Sequence, residues 1–377
     1  MKIVYSILGT FNSGGMERVL ANKANYLADE GYDVTIITTD QQGRSPYFVM
    51  NPKIKHIDLG INYRDDLNKS VFKKIFSYIS KQKKHKQKLK EVLHDLKADV
   101  VISMFDNDVN LIHNIKDGSK KVLEIHFSRF KRIQYDRDGI WGIIDKIRSE
   151  KDEKSVQQYD RFVVLTEEDK GYWGNFSNIN VIPNANSFIP TKQSSLEYKR
   201  AIAVGRYDYQ KGFDELIKIW RDVYLKNPEW RLDIFGHGPL KEDLQNLIDD
   251  LNLTEVIKLC EPVKNIEQEY LSSSILVMTS RYEGLPMTLL EAQACGLPMV
   301  AYACKCGPKD IIHDGINGYL IPERDSQLMT EKILKLIEDD DLRKKMGNIN
   351  VELSDNFSED KIMKRWVNLF EEIVKEK

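Results

Sequence analysis

Two acidic residues eight positions apart, Glu283 and Glu291, enclose Gly284-Leu285-Pro286-Met287 directly after the apolar run Ile275–Thr279. A short apolar run of that kind reads as a buried strand. Gly284 permits a tight turn and Pro286 suits a first helical turn. The amides of Leu285, Met287 and Thr288 are then expected to point out of a helix N-terminus, a ready site for an anion. Glu291, one to two turns in, can accept hydrogen bonds from a diol such as a ribose. Glu283 precedes the helix and can face a sugar. A second cluster, Arg206-Tyr207-Asp208-Tyr209-Gln210-Lys211-Gly212, follows the apolar run Ala201–Gly205. Ligands of open α/β sheets bind at that carboxyl edge. An Arg, with its planar fork, and a Lys, with its point charge, five residues apart on one loop can converge on one diphosphate. Taken singly, each cluster has a plainer reading: two exposed cations on a loop, or acids at a helix start and on a surface. A Gly-x-Pro between two carboxylates at a strand end is the less common feature.

The elements around these clusters form a repeated pattern. Lys2–Leu8 is a β-rich run, followed by a loop with Gly14-Gly15. Apolar residues at helical spacing then run from Met16 to Asp29, stopping at Gly31, before a strand at Val34–Thr38. Strand, glycine loop, helix, strand is a βαβ unit and predicts a parallel sheet. Asp99–Met104, Lys121–Ile125, Phe162–Leu165 and Val181–Pro183 continue the strands. The pattern restarts at Ala201–Gly205 and runs through Arg231–Phe235, Val256–Leu259, Ile275–Thr279 and Met299–Ala303. Two successive doubly wound α/β domains follow, 1–187 and 188–357, with a last helix at 358–377 expected to cross back to the first domain. The polar, aperiodic stretch 187–195 marks the boundary.

Composition bounds the rest. The 377 residues suit two domains at roughly 100–200 residues each. Lys+Arg (56) nearly balance Asp+Glu (58), which argues against a general nucleic-acid binder. The four cysteines, Cys260, Cys295, Cys304 and Cys306, complete neither a disulfide framework nor a zinc spacing, so reduced thiols in a cytoplasmic chain are expected. No apolar stretch approaches the roughly 20 residues of a membrane span. The segment 73–90 carries eight lysines, with Phe72, Ile75, Phe76 and Ile79 at helical spacing. The plainer expectation is a solvated helix whose apolar stripe meets the core. The sharper one is peripheral contact with an anionic membrane. Asp106-Asn107-Asp108 matches a short metal-binding pattern of sugar transferases, but it lies in the other domain from the phosphate loop and reads as an acceptor-side loop or solvated turn.

Together these features resemble the retaining glycosyltransferases of family 4 over nearly the whole chain. Glu283–Glu291 resembles the E-x7-E element, its most specific mark. Gly205-Arg206 with Lys211-Gly212 resembles the G-R…K-G loop. Gly236-His237-Gly238-Pro239 resembles the G-x-G-P turn, with His where an acid is commoner, and Gly14-Gly15 resembles the opening of the first helix. Asp314-Gly315-x-Asn317-Gly318 also recurs in the family. The resemblance implies the GT-B fold, two Rossmann-like domains facing a central cleft. It implies a nucleotide-sugar donor, with UDP-sugars favoured, and a glycan or lipid-linked acceptor. No cofactor and no metal would be required.

By the same resemblance, Arg206 and Lys211 neutralise the donor diphosphate, and the amides after Gly284 bind the same phosphates. Glu291 holds the ribose and Glu283 the donor sugar. Gly14 and Gly15 let the N-terminal loop approach the phosphate, and His126, after Lys121–Ile125, points at the reacting sugar. Competing readings are an inactive nucleotide-sugar sensor, a sugar-nucleotide epimerase or phosphorylase on the same fold, and a Rossmann oxidoreductase. The intact Arg206, Lys211, Glu283 and Glu291 disfavour the first. A phosphorylase needs a longer chain with a cofactor-bearing lysine, and an epimerase does not usually carry the Glu283–Glu291 element. Gly9-x4-Gly14-Gly15 lacks the G-x-G-x-x-G order an oxidoreductase would show.

Overall fold

The computed structural model describes residues 1–66, 71–132 and 139–376. The chain opens with β1 (Lys2–Ile7), α1 (Gly15–Asp29), β2 (Asp33–Thr38), β3 (Lys55–Asp58), α2 (Val71–Leu96) and β4 (Val100–Ser103). It continues through β5 (Lys120–Glu124), α3 (Ile140–Val156), β6 (Arg161–Val164), α4 (Glu167–Trp173) and β7 (Ile179–Val181). The second run is β8 (Arg200–Val204), α5 (Phe213–Tyr224), β9 (Arg231–Phe235), α6 (Lys241–Asp250), β10 (Ile257–Cys260), α7 (Ile266–Leu271) and β11 (Ile275–Met278). Then come α8 (Met287–Ala294), β12 (Met299–Tyr302), α9 (Pro308–Ile311), β13 (Gly318–Ile321), α10 (Ser326–Glu338), α11 (Asp340–Ser354) and α12 (Glu359–Lys375).

The chain divides into two compact units, one of Met1–Pro183 with Ile362–Lys377 and one of Asn184–Lys361. The division falls at Pro183 rather than at Ser187, because 184–195 is tied into the second unit. Asn186 N–H donates to Phe357 O, and Ser194 donates through its amide to Cys295 O and through its hydroxyl to Ser273 O.

Unit 1 is a seven-stranded sheet in the order β3-β2-β1-β4-β5-β6-β7, parallel throughout. Val4, Ile37, Val101, Leu123, Phe162 and Val164 line one apolar layer with Leu89 and Leu93 of α2 and Trp173 of α4. The central strands are buried nearly along their length, as strands covered on both faces must be. The edge strand β3, Lys-His-Ile-Asp, has no buried residue and carries no apolar alternation, which is why the sequence pattern passes over it. α12 closes this unit. Trp366, Phe370 and Ile373 are buried, Arg161 pairs with Glu372 and Glu376, and Arg365 donates to Val181 O.

Unit 2 is a six-stranded parallel sheet, β10-β9-β8-β11-β12-β13. Helix α5 shows how its sequence makes it. Phe213, Leu216, Ile217, Trp220 and Val223 recur on one face and are buried, and Asp214 and Glu215 sit in the first turn, where acids suit the helix dipole. Asp325 and Asp339 cap α10 and α11 by accepting the amides of Leu328 and Leu342. β13, the edge strand Gly-Tyr-Leu-Ile, is too short to separate from the preceding turn by pattern alone.

One expectation fails here. The apolar stripe of α2 does not meet the core: Ile75 is 53% exposed, Phe76 74% and Ile79 49%. Phe72, counted in that stripe, lies outside the described side chains. The burial pattern explains the difference, since α2 seats itself through its C-terminal half, at His85, Leu89 and Leu93, leaving the first turns to solvent.

The docking of α12 has a direct test. Trp366→Ala is expected to lower the unfolding free energy by about 3–5 kcal/mol, as for other buried Trp truncations. Urea titration followed by far-UV circular dichroism measures it. A loss below about 1 kcal/mol would mean that α12 does not complete the unit 1 core.

Candidate active site

In unit 2 the strand order reverses beside β8, whose neighbours are β9 and β11. Connections from β8 and β11 leave in opposite senses there, so a crevice opens at their carboxyl ends, the place where doubly wound sheets bind ligands. The loop 206–212 leaves β8 at this point, and 279–286 leaves β11.

The two loops are fastened together by close backbone contact. Gly212 has φ +64°, and a β-carbon there would lie 2.3 Å from Thr279 O. Thr279 Oγ1 donates to Gly212 O at 3.0 Å. Gly236, after β9, passes still closer: its β-carbon would stand 1.8 Å from Gly205 O. Only glycine fits either position. Arg281 adds a side-chain clasp, with bonds of 3.0 and 2.8 Å to both Asp214 oxygens and its guanidinium 4.2 Å over the Tyr209 ring. Gln210 Nε2 donates to Tyr282 O at 3.0 Å.

This framework brings the predicted side chains together. The Lys211 stem lies across Gly205, with its Cδ where a β-carbon would need room. Its Nζ reaches Glu283 Oε1 at 2.7 Å, and the two side chains are 15% and 8% exposed. Arg206 stands at the rim, 63% exposed, with Asp208 Oδ2 at 2.9 Å. Glu291 is buried within α8 and accepts from Tyr270 Oη at 2.9 Å. Helix α8 begins one residue later than the turn pattern suggests. Pro286 is the N-cap, in extended conformation, and Met287 the first helical residue. Leu289 N–H donates to Pro286 O at 3.0 Å, so the amides of Met287 and Thr288 head the helix without an intrahelical partner. The Leu285 amide precedes the cap and is not part of the helix head. Gly284 lies under Gly307, whose β-carbon would come 2.8 Å from Gly284 O.

Gly14, Gly15 and His126 lie in unit 1. Gly14 caps α1 with φ −75°, and Gly15 is its first residue. The space beside Gly14 is taken by the Glu17 carboxylate, 2.3 Å from where a β-carbon would be. His126 follows β5, with its Nε2 3.0 Å from Glu124 Oε1. Asp106 and Asp108 prove to be fold-forming rather than a solvated turn. Asp106 accepts the Leu8 amide at 2.7 Å. Asp108, buried, accepts from Ser103 Oγ at 2.7 Å, and burial raises its pKa. Among the described residues no three His, Cys, Asp or Glu side chains gather as a metal-ion site would need. The Asp314–Gly318 turn is likewise structural: Asp314 accepts the Leu320 amide, and the Asn317 side chain bonds Asn350, Ile311 O and the His313 amide.

Residues 186–352 match the glycosyl transferases group 1, and residues 13–185 match glycosyltransferase family 4. A glycosyltransferase of Haemophilus influenzae is 31% identical over 97% of this chain and 98% of its own length. This chain belongs to the group 1, family 4 glycosyltransferases. The amylovoran biosynthesis glycosyltransferase AmsD of Erwinia amylovora is 28% identical over 97% of this chain and 98% of its own. A Campylobacter jejuni α-1,4-N-acetyl-D-galactosaminyltransferase, named for an acceptor built on diphosphate-undecaprenol, is 27% identical over 99% of both chains. Among solved structures, a mutant of Staphylococcus aureus TarM in complex with UDP, fondaparinux and α-GlcNAc-glycerol superposes with a TM-score of 0.80 at 18% identity over 98% of this chain and 99% of its own. Sucrose-phosphate synthase of Thermosynechococcus elongatus superposes with a TM-score of 0.83 at 16% identity over 99% and 98%. Both likenesses place the fold as GT-B.

Arg281, Tyr209, Thr279 and Tyr270 are the parts of this candidate site that pattern reasoning misses. Each acts by tertiary contact, and none sits at a spacing that marks it. The framework they serve predicts that Gly236→Ala lowers the unfolding free energy by more than about 2 kcal/mol, because backbone must move to admit the methyl. Gly315→Ala, at φ +73° with open space around it, should cost only about 1–2 kcal/mol of left-handed strain. Equal losses in parallel chemical denaturation would contradict the close approach at Gly236.

Proposed function

We propose that this glycosyltransferase moves a sugar from a UDP-sugar to a glycan or lipid-linked acceptor, with retention of anomeric configuration and without a metal ion. The observation that carries the reading is the convergence of Arg206, Lys211 and the α8 amides on one sheet edge. Lys211 has three N–H donors and uses one on Glu283, leaving capacity for a phosphate oxygen. Arg206, tied only within its own loop among the described residues, can turn to the same diphosphate. When the glycosidic C–O bond to the donor breaks, negative charge grows on the leaving phosphate and positive charge on the anomeric carbon. Cations and amides fixed beforehand at that phosphate stabilise the transition state more than the ground state. Glu283, anchored by Lys211, fixes donor sugar hydroxyls in this reading. Glu291 has its orientation set by Tyr270 and takes the ribose diol. His126 is the proposed polar contact to the reacting sugar. UDP as donor base is supported by the UDP in the TarM structure, and a lipid-linked acceptor by the name of the Campylobacter relative.

Calorimetry with UDP, GDP, ADP and UMP in the presence of EDTA tests the donor site. UDP should bind well above UMP, and Arg206→Ala should remove about 1.5–3 kcal/mol of that advantage, roughly 10- to 150-fold in Kd. No binding without a divalent ion would overturn the metal-free reading. A different preferred base would overturn UDP.

We also propose that α2 places the enzyme on an anionic membrane. Among the described residues no helix is long and apolar enough to cross a membrane. Ile75, Phe76, Tyr78 and Ile79 are exposed on the first turns, and Lys83, Lys84, Lys86 and Lys90 are exposed farther along. Apolar side chains can enter the headgroup boundary while lysines meet anionic lipid. Phe76→Asp with Ile79→Asp should abolish co-sedimentation with phosphatidylglycerol vesicles. Unchanged sedimentation would rule the surface out.

A further inference from the structure

Three buried side chains meet at the end of β5. Glu124 is the last residue of the strand and His126 lies two residues on. Extended chain sends such side chains to one side, and the Ile125 amide keeps the sheet pairing by donating to Val163 O at 3.1 Å. Lys23, from α1, brings its Nζ to 2.6 Å from both Glu124 oxygens. The side chains of Lys23 and Glu124 are 5% and 1% exposed and that of His126 is 6%. His126 Nε2 stands 3.0 Å from Glu124 Oε1, an ion-pair distance, but off the line of a hydrogen bond. His126 Nδ1 is buried with no hydrogen-bond partner among the described residues. Above Lys23 lies the Trp366 ring, its centroid 3.4 Å from Nζ, with the Tyr5 ring at 5.7 Å.

A buried ion pair is a poor device for stability, since apolar residues of like volume often do as well or better. This pair does something an apolar pair could not. Glu124 presents a carboxylate oxygen to His126, and a carboxylate accepts but does not donate. Lys23 holds that carboxylate in place through both of its oxygens, 2.6 Å from each, so that Oε1 stays beside His126 Nε2. Burial lowers Lys23 to about 8, and Glu124 is held well below the usual carboxylate range by Lys23 and His126 despite its own burial, so both are charged at neutral pH. The titratable groups facing the cluster are Tyr5 on β1, Lys23 on α1 and Glu124 on β5. Tyr5 stays protonated, raised by burial and then by Glu124, and Trp366 brings no charge.

We propose that the Lys23–Glu124 pair is a positioning device for His126. The carboxylate charge beside Nε2 favours the ring proton on that nitrogen, which leaves the unpartnered Nδ1 as the lone pair for a substrate hydroxyl. Lys23 and Glu124 act through His126 and touch no substrate. The inference rests on the proposed role of His126, and α12 enters it through Trp366, which seals the cation.

Nitrogen-15 NMR of the His126 ring in the intact 377-residue chain, with kinetics on the same proteins, tests this. Wild type should show one dominant Nε2–H tautomer at pH 7. Lys23→Met, which frees the Glu124 carboxylate from its partner, should change the ring's nitrogen-15 shifts at the same pH. Glu124→Gln should mix the tautomers. Either single variant can be destabilised by a lone buried charge, so the double variant Lys23→Met/Glu124→Gln, which removes both charges, is the deciding protein. It should fold, lose the tautomer preference, and lose kcat at least about tenfold while donor KM changes less than about threefold. An unchanged tautomer preference in the folded double variant would overturn the positioning. Full activity in His126→Ala would overturn instead the role of His126, with the ring spectra still deciding the geometry.

Discussion

Gly236 passes so near Gly205 O that no β-carbon fits between them, and Gly212 does the same against Thr279 O. These two approaches let three consecutive sheet neighbours, β9, β8 and β11, crowd their carboxyl ends into one place. Side chains at these points would push the loops apart and break the Lys211–Glu283 contact. With glycine there, the Lys211 stem lies flat on Gly205 and its ammonium meets Glu283. Arg281 then only has to hold what the backbone has already brought together. The chemistry of the site is thus a consequence of missing β-carbons as much as of charges present.

The two units use buried charge differently. In unit 2, Lys211 and Glu283 keep 15% and 8% exposure, and the proposed donor phosphate would share the Lys211 ammonium. Arg206, 63% exposed at the rim, would add a guanidinium to the same proposed site. In unit 1, Lys23 and Glu124 are sealed under Trp366, so they cannot meet a ligand and their influence passes through His126. Removing one member of such a sealed pair leaves an uncompensated charge in a low-dielectric interior, which is costly. Removing both is not.

Much of this is legible in the sequence because it rests on local chemistry. The βαβ pattern, the Gly-rich turns after strands and the carboxylates around Gly284 each follow from backbone needs that particular residue types meet. Repeating that pattern twice gives two successive doubly wound units, and the motifs' resemblance to family 4 implies their GT-B arrangement. β3 is not legible, since an exposed edge strand of Lys-His-Ile-Asp has no apolar alternation to betray it. The seating of α2 escapes the pattern because helical spacing shows which residues share a face but not which half of the helix touches the core. The sequence reads Asp108 as part of an acceptor-side loop or a solvated turn, because nothing local announces the Ser103 hydroxyl against which it is buried. Arg281 and Lys23 are hidden for the same reason: a clasp between loops, or between a helix and a strand end, is a fact of tertiary structure. Glu124, two residues before His126, is the one such partner that strand periodicity could flag.

The proposed meeting of the leaving diphosphate with Arg206, Lys211 and the head of α8 can be seen in a crystal structure of the enzyme soaked with UDP in EDTA. A β-phosphate should lie within about 2.7–3.2 Å of Lys211 Nζ, the Arg206 guanidinium and the Met287 or Thr288 amide, with the ribose on Glu291. A diphosphate seated away from Lys211, or bound through a metal ion on other carboxylates, would contradict it.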